Sequence, residues 1–284
     1  MGVKTPIALE AAQRLFPEAG FRALHATNEG IIDTTYIADT ARGRCILKRY
    51  EAAAPEAVER EARLLRRLRR GGLNVPEPLG GEGRWRLFSC LEGVSPKRPQ
   101  LHHIAAVAAF LGQMHRETRG ECGNAAAFCP EDVKSALARI RRHNPSAWHT
   151  FAPLAQSKLF ERCDGVIHGD LFRDNCVFEG TRIGVFDFIE AGGGSFLLDA
   201  AVVAANWALR GGDAGRVRHF LNVYNRHAPH KIGYEALCGA METAARLYGM
   251  KRYLHTQIDG ESAPPYRQQL EKLRPIKRLK RRPK

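Results

Sequence analysis

Two different periodicities divide the hydrophobic pattern of this 284-residue chain. Near its start, β-branched and aromatic residues form short runs, and turn-forming residues at 28–30 and 42–43 separate them. Runs of this kind favour strands, and the Asn and Gly between them favour tight turns. We therefore predict an antiparallel sheet in this part of the chain. The predicted strands are Phe21–Thr27, Thr34–Asp39, Arg44–Tyr50 and Trp85–Leu91.

Apolar residues at a spacing of three to four dominate elsewhere and predict helices. The first such segment is Pro55–Arg70, which Gly71-Gly72 terminates. Two short strand-like runs interrupt the later helices, at Cys176–Glu179 and Arg182–Phe188. The later predicted helices are Leu101–Arg116, Pro130–His143, Trp148–Cys163, Phe196–Leu209, Ala214–Arg226 and Tyr234–Thr256.

This order of elements predicts an α+β fold in two lobes. A small antiparallel β-sheet lobe with one main helix occupies residues 1–92, and a larger, mainly helical lobe follows at 93–270. Residues 271–284 contain eight Lys or Arg and one Glu. Their net charge is half of the +14 of the whole chain. We interpret this segment as a solvated basic tail, and residues 272–284 leave a contact with nucleic acid open.

Other compositional features narrow the class of protein. No apolar run approaches the roughly 18 residues that a membrane helix needs, so we expect a cytoplasmic protein. The seven cysteines are scattered, odd in number and without a Cys-x-x-Cys pair, so we expect them to be reduced. His102, His103 and His115 have no metal-ligand spacing, and we interpret them as helix-surface or packing residues.

The segment from Val166 to Phe178 carries the densest set of candidate chemical groups, because polar residues lie there between two apolar runs that can anchor a loop. Asp170 is suited to receive the proton of an acceptor hydroxyl. Asn175, and Asp187 at the end of the next apolar strand, offer the oxygen ligands that Mg²⁺ prefers. Phosphoryl transfer from ATP needs this combination of groups.

His168-Gly169-Asp170, with Asn175 five residues after the aspartate, resembles the catalytic loop of aminoglycoside phosphotransferases. Asp187-Phe188-Ile189 resembles the metal-binding triplet of kinases. The resemblance implies a bilobal protein-kinase-like fold, with ATP and Mg²⁺ as cofactors and nucleotide binding in the N-terminal lobe.

The same resemblance extends to the first lobe. Lys48 at the end of the third strand matches the residue that contacts ATP phosphates, and Glu61 matches its acidic partner, with Glu59 a weaker candidate. Gly30 matches the loop that covers the phosphates. Ser89 and Leu91 match the hinge that meets the adenine edge.

Further residues of the second lobe have implied supporting or substrate roles. By the resemblance, His168 orders the catalytic loop and Asp199 braces it. Arg173, Asp174 and Glu190 are candidates for substrate contact, because they lie beside the catalytic or metal-binding residues. Gly192–Gly194 could cradle a phosphate before a helix, or form a flexible turn with Ser195 as helix cap.

Pieces spread over the chain resemble homoserine kinases built on this fold. They include Gly30–Tyr36, Leu91–Gly93, Arg98-Pro99 and the catalytic loop, although Gly169 stands where that subfamily usually has alanine. The implied function is phosphorylation of L-homoserine, as in threonine biosynthesis. Two alternatives remain: a kinase acting on another small alcohol, amino sugar or aminoglycoside, and a nucleotide- or RNA-binding pseudokinase that uses the basic tail.

Overall fold

A computed structural model describes residues 3–27, 33–123, 126–261 and 263–281. The chain divides into two compact units. The first comprises Met1–Gly93 and Gly184–Ile189, and the second comprises Val94–Ile183 and Glu190–Lys284. Strands are concentrated in the first unit and helices in the second, as expected for the predicted α+β class.

An antiparallel sheet forms the centre of the first unit, and its five strands within the described residues follow the order β1-β2-β3-β5-β4. The strand β4 was not predicted. It carries Pro78 and Gly80-Gly81, which read as a turn, yet it lies at the edge of the sheet, where proline is tolerated. The strands are β1 (Phe21–Ala26), β2 (Thr34–Thr40), β3 (Gly43–Arg49), β4 (Pro78–Glu82) and β5 (Trp85–Ser89).

The period of two along β3 decides which side chains enter the core. Cys45 and Leu47 pack into a buried cluster with Phe16 of the N-terminal segment, which follows helix α1 (Leu9–Leu15). Lys48, one residue further on, therefore points to the other face of the sheet. The helix α2 (Pro55–Arg70) has the predicted bounds.

Helices make up most of the second unit, and most of them have nearly the predicted bounds. The predicted helix Trp148–Cys163 is wrong: an α-helix ends at Phe151, and two short 3₁₀ helices follow at Ala152–Gln156 and Lys158–Phe160. Pro153 lacks the N–H that would continue the α-helical ladder. The helices of this part of the chain are α3 (Leu101–Glu117), α4 (Pro130–His143), the short α5 (Pro145–Phe151), α6 (Phe196–Trp207), α7 (Ala214–His227) and α8 (Tyr234–Tyr253).

Short strands frame the candidate catalytic loop. The strand β6 (Gly165–Ile167) precedes it and β7 (Cys176–Glu179) follows it, and β7 forms a two-stranded sheet with β8 (Arg182–Val185).

Gly192–Gly194 is neither the predicted phosphate cradle nor a flexible turn, because it forms strand β9 and pairs antiparallel with β6. A Cβ at Gly193 would lie 2.6 Å from the carbonyl oxygen of Cys122, so the glycine permits a close backbone approach. Ser195 does not cap α6 with its hydroxyl. Instead the N–H of Phe196 donates to Asp164 at 3.0 Å.

The basic segment at the end of the chain is not a solvated tail as far as the structure describes it. After the short helix α9 (Arg267–Leu270), the helix α10 (Leu273–Arg281) packs against α8. Ile276 and Leu279 of α10 are fully buried. The prediction failed because it was based on the many charges of the segment and gave too little weight to two apolar residues at helical spacing.

Two cysteines that we expected to be reduced form a disulfide, Cys122–Cys163. The two residues are 41 positions apart, so their spacing carries no signal of pairing. Backbone pairing brings them together, because the N–H of Gly120 donates to the carbonyl of Asp164 at 2.8 Å. The five other cysteines are free thiols.

Candidate active site

Lys48 lies in a cluster of charged groups in the first unit. Its ammonium is 2.9 Å from Oδ1 of Asp187 and 3.1 Å from Oδ2 of Asp33. It also lies 4.6 Å above the ring of Tyr50. Burial alone would lower the pKa of Lys48, but attraction to Asp187, Glu61 and Asp33 outweighs it and holds the pKa above its usual value. The side chain is therefore a fixed positive charge.

Glu61 is buried on the apolar stripe of α2, although it is a carboxylate. One oxygen accepts a hydrogen bond from the hydroxyl of Tyr50, and the other accepts the N–H of Phe188 at 2.9 Å. Burial raises the pKa of Glu61, and attraction to the Lys48 ammonium opposes that shift. Glu61 thus acts on Lys48 through its charge, while its hydrogen bonds hold Tyr50 and the backbone beside Asp187.

Asp187 has an unusual backbone conformation. Its φ angle is +64°, in the left-handed region that L-residues rarely adopt, and it is the one non-glycine residue with a positive φ in the described part of the chain. Strain of this kind is typical of functional sites. Contacts hold the residue on two sides: Glu61 accepts the N–H of Phe188, and Lys48 donates to the Asp187 carboxylate.

The residues predicted to contact the nucleotide besides Lys48 and Glu61 are Ser89, Leu91 and Gly30. The N–H of Ser89 donates to the carbonyl of Glu77 at 2.9 Å, and the Ser89 hydroxyl accepts the N–H of Glu77, so the backbone N–H of Ser89 is already hydrogen-bonded within the protein. Leu91 follows the end of β5. Gly30 lies outside the described residues.

The candidate catalytic loop of the second unit turns at Gly169, whose φ is +77°. The N–H of Asp170 donates to Nδ1 of the buried His168 at 3.2 Å, and the carbonyl of Asp170 accepts the N–H of Phe172 at 2.8 Å. An alanine at position 169 would be strained in this conformation, so the glycine fits the turn that this loop makes.

Asn175 lies next to Asp170 in space as well as in sequence. Its amide nitrogen donates to the Asp170 carbonyl at 2.8 Å and to Oδ2 of Asp170 at 3.1 Å. Because the nitrogen makes both of these contacts, the amide oxygen is the atom that Asn175 can offer to a metal ion.

A single buried carboxylate holds the backbone of this loop. Asp199, in the first turn of α6, accepts the N–H of His168 at 2.9 Å and that of Gly169 at 3.1 Å. Its Oδ2 also lies 3.0 Å from Nε2 of His115, and Nδ1 of that ring lies 2.7 Å from the hydroxyl of Tyr224. Burial would raise the pKa of Asp199, but the hydrogen bond and charge of His115 lower it below its usual value. Asp199 therefore stays ionised and braces the loop.

The three predicted substrate residues have different surroundings within the second unit. Arg173 is exposed and donates to the carbonyl of Lys97 at 2.8 Å. Asp174 is exposed and interacts electrostatically with Arg252. Glu190 forms an ion pair with Lys251 at 3.1 Å.

Sequence reasoning missed several participants in these clusters. Asp33 and Tyr50 have no local motif, although both lie close in sequence to matched positions. His115 was interpreted as a helix-surface or packing residue; it is fully buried, and its ring is also hydrogen-bonded to Asp199. A polar residue on the apolar stripe of a predicted helix is the signal that could have indicated His115.

The described residues contain no group of three or more His, Cys, Asp and Glu side chains arranged to hold a metal ion. None of the helices in the described ranges has the length and apolar character needed to cross a bilayer.

In sequence, this chain matches one family model and a named relative. Residues 24–236 match the family model of the phosphotransferase enzyme family, APH. A protein named homoserine kinase from Methylobacillus flagellatus is 30% identical over 253 residues, which are 81% of this chain and 78% of that protein.

Solved structures match the fold along almost the whole chain. Macrolide 2′-phosphotransferase MphH from Brachybacterium faecium matches with a TM-score of 0.66 and 16% identity, covering 94% of this chain and 97% of that one. Amicoumacin kinase hAmiN, in complex with AMP-PNP, Ca²⁺ and Ami, matches with a TM-score of 0.65 and 18% identity, covering 96% and 92%. At this identity the likeness establishes the fold alone, and the predicted protein-kinase-like α+β class is confirmed.

Proposed function

Because this chain belongs to the phosphotransferase enzyme family, and is accordingly an ATP-dependent small-molecule kinase, we propose that the hydroxyl it phosphorylates is that of L-homoserine. The observation that carries the choice of acceptor is the 30% identity, over most of both chains, with a protein named homoserine kinase. The matches at Leu91–Gly93, Arg98-Pro99 and the catalytic loop support the same choice.

Asp170 is the proposed catalytic residue. Its carboxylate orients the acceptor hydroxyl for in-line attack on the γ-phosphorus and receives the hydroxyl proton, while the bond from that phosphorus to the bridging oxygen breaks and ADP leaves. The contacts with His168 and Asn175 support this role, because they fix the Asp170 backbone and one carboxylate oxygen before the acceptor arrives. Positioning of this kind supplies much of the acceleration in phosphoryl transfer.

Lys48 is the proposed phosphate ligand of the first unit. Its raised pKa keeps it positive at every pH at which the enzyme would work, and a positive charge offsets the charge of a triphosphate. Asp33 and Asp187 hold the ammonium from two sides, so its position does not depend on the nucleotide. Glu61 supports Lys48 through its charge and anchors Phe188.

Magnesium is the proposed metal, and Asp187 of the first unit and Asn175 of the second each carry an oxygen that suits it as a ligand. The donor atoms fit: the Asp187 carboxylate is about a third exposed, and the nitrogen of Asn175 is directed toward Asp170, which leaves its oxygen as the ligand atom. Mg²⁺ commonly takes one or two protein oxygens and completes its shell with phosphates and waters. When bound, it neutralises charge on the β- and γ-phosphates.

The proposal is tested by measuring ADP release with Mg·ATP over a panel of acceptors. We expect L-homoserine to give a kcat/KM at least about a hundredfold above those of choline, a macrolide and an aminoglycoside, because a site built for one acceptor leaves its polar groups unpaired with the others. Phosphate on the homoserine hydroxyl would be identified by mass spectrometry and ³¹P NMR. Efficient turnover of a different acceptor, with none on homoserine, would replace the proposed substrate and leave the kinase assignment intact.

A further inference from the structure

Five side chains of the second unit meet at the Asp170 loop. Three are aromatic and two are oppositely charged, and they come from four separate segments of the chain. They are Phe128, Phe172, Glu190, Tyr248 and Lys251, which we call the aromatic-charged cluster.

The cluster borders the catalytic loop directly. A Cβ placed on Gly169 would lie 3.6 Å from Cζ of Phe128 and 3.5 Å from the carbonyl oxygen of Glu190. Phe172, two residues after Asp170, meets the ring of Tyr248 with 4.8 Å between their centroids. Groups bound at this cluster are therefore neighbours of Asp170.

Lys251 and Tyr248 lie three residues apart on α8, so they share one face of that helix. The Lys251 ammonium is 5.7 Å from the centre of the Phe128 ring and 5.6 Å from that of Tyr248. It pairs with Glu190 at 3.1 Å, and the two side chains are 33% and 48% exposed, so solutes can reach them. The cluster thus presents one cation and one anion at an accessible aromatic surface.

Tyr248 is the buried member of the cluster, and its hydroxyl is unusual. The residue is only 5% exposed, and within the described part of the chain its hydroxyl has no hydrogen-bond partner. A buried hydroxyl without a partner is costly, and such groups occur at binding sites where a ligand supplies the missing bond. Burial first, and then the carboxylates of Asp170, Asp199 and Glu190, raise the pKa of Tyr248, so it remains an O–H donor.

We infer that the aromatic-charged cluster is the acceptor site for the amino-acid end of the substrate, with Lys251 binding the α-carboxylate and Glu190 binding the α-ammonium. A zwitterion carries one charge of each sign, which matches the pair of charges that the cluster presents. The partly exposed ring of Phe128 supplies an apolar wall for the methylene groups and a surface attractive to the ammonium. This inference rests on the proposed function, since it specifies how an amino-acid acceptor is recognised.

The test removes one charge from the protein and the matching charge from the substrate. Lys251→Gln should raise the KM for L-homoserine by about tenfold to a hundredfold, the range expected for one charge-assisted contact, without changing the KM for ATP. It should leave the KM for 3-aminopropan-1-ol unchanged, because that compound lacks the carboxylate. Glu190→Gln should behave in the mirrored way with 4-hydroxybutanoate, which lacks the ammonium.

Two controls separate recognition from structural damage. Lys134→Gln removes a lysine of the same unit that is also near a glutamate, at 3.9 Å from Glu131, and should leave every KM unchanged. Lys251→Arg keeps the charge and should restore most of the affinity for homoserine. Circular dichroism and thermal melting verify that each variant is folded.

Tyr248→Phe tests the hydroxyl against Tyr234→Phe, which removes the hydroxyl of another tyrosine on the same helix. We expect Tyr248→Phe to lower homoserine turnover by about threefold to tenfold, which is less than the effect of Lys251→Gln, because a neutral hydrogen bond is worth less than a charged one. Tyr234→Phe should have no effect on turnover.

The outcomes distinguish failure of the acceptor-site inference from failure of the proposed function. If the wild type phosphorylates homoserine, but folded Lys251→Gln keeps its KM for homoserine and its preference over 3-aminopropan-1-ol, the cluster is not the acceptor site and the proposed function stands. If the wild type phosphorylates none of the three compounds, the proposed acceptor fails and the inference fails with it.

Discussion

Lys48 in the first unit and Asp170 in the second are each held in place, but by different means. Side-chain charges hold Lys48: the carboxylates of Asp33 and Asp187 contact its ammonium, and Glu61 adds a third negative charge. Around Asp170 the main restraints are hydrogen bonds to the backbone. Asp199 accepts the N–H groups of the two residues before it.

The roles proposed for the two residues need different restraints. A phosphate ligand must keep its charge, and surrounding carboxylates guarantee this by raising its pKa. A group that aligns a hydroxyl must keep its geometry, and a loop tied to one buried carboxylate provides this. Substitutions in the first unit should therefore act through charge, and those in the second through geometry.

The largest expected effect comes from Asp170→Asn, which keeps the shape of the side chain and removes its ability to take a proton. We expect kcat to fall by about a thousandfold or more, because general-base catalysis contributes in this range. The melting temperature and ATP affinity should stay near those of the wild type. Turnover would be followed by ADP release, and a variant with nearly normal kcat would take Asp170 out of the reaction.

A smaller but still large effect is expected from Asp199→Asn, which removes the charge that braces the loop. We expect the free energy of unfolding at pH 7 to drop by about 2 to 4 kcal/mol, as for other broken buried networks, with a lower kcat as well. Denaturant titration measures the first quantity. Loss of kcat without loss of stability would mean that Asp199 acts on the chemistry and not on the fold of the loop.

The same variant has a predictable pH dependence. Because the pKa of Asp199 is lowered in the folded state, its contribution is complete above the unfolded pKa of about 4 and is lost as the pH falls through the folded value. The difference in unfolding free energy between wild type and Asp199→Asn should shrink on acidification below about pH 4. A difference that is constant from pH 7 to pH 3 would contradict the assigned pKa shift.

The smallest effect is expected from Tyr50→Phe, which deletes the hydroxyl that donates to Glu61 and keeps the ring below Lys48. Leaving one buried carboxylate oxygen without its donor should cost about 1 to 2 kcal/mol of stability. The KM for ATP should rise only a few-fold, because Lys48 keeps both of its ion pairs. A collapse of ATP affinity would show that geometry, and not charge, governs this cluster as well.

Local signals in the sequence were sufficient for much of the fold. The helices at Pro55–Arg70 and Pro130–His143 have the predicted bounds, because proline at the first turn and a clear apolar stripe act within one segment. The candidate catalytic loop was recognisable for the same reason, since Asp170 and Asn175 lie five residues apart and contact each other.

Features that depend on distant partners could not be predicted. Gly192–Gly194 has no strand propensity of its own and becomes a strand by pairing with β6. The bond between His115 and Asp199 joins residues 84 positions apart, and no spacing rule connects them. Lys48 shows the same limit, because its match to a family position did not reveal Asp33 as a partner.

Gly184–Ile189 belongs to the first unit although it is flanked on both sides by residues of the second. A fragment ending at Gly93 would therefore lack Phe188, whose N–H satisfies Glu61, and Asp187, whose carboxylate contacts Lys48. On the ribosome, the first unit remains unfinished until Ile189 has been added, at about twice the unit's own length, and neither unit can be excised by cutting the gene at a single point.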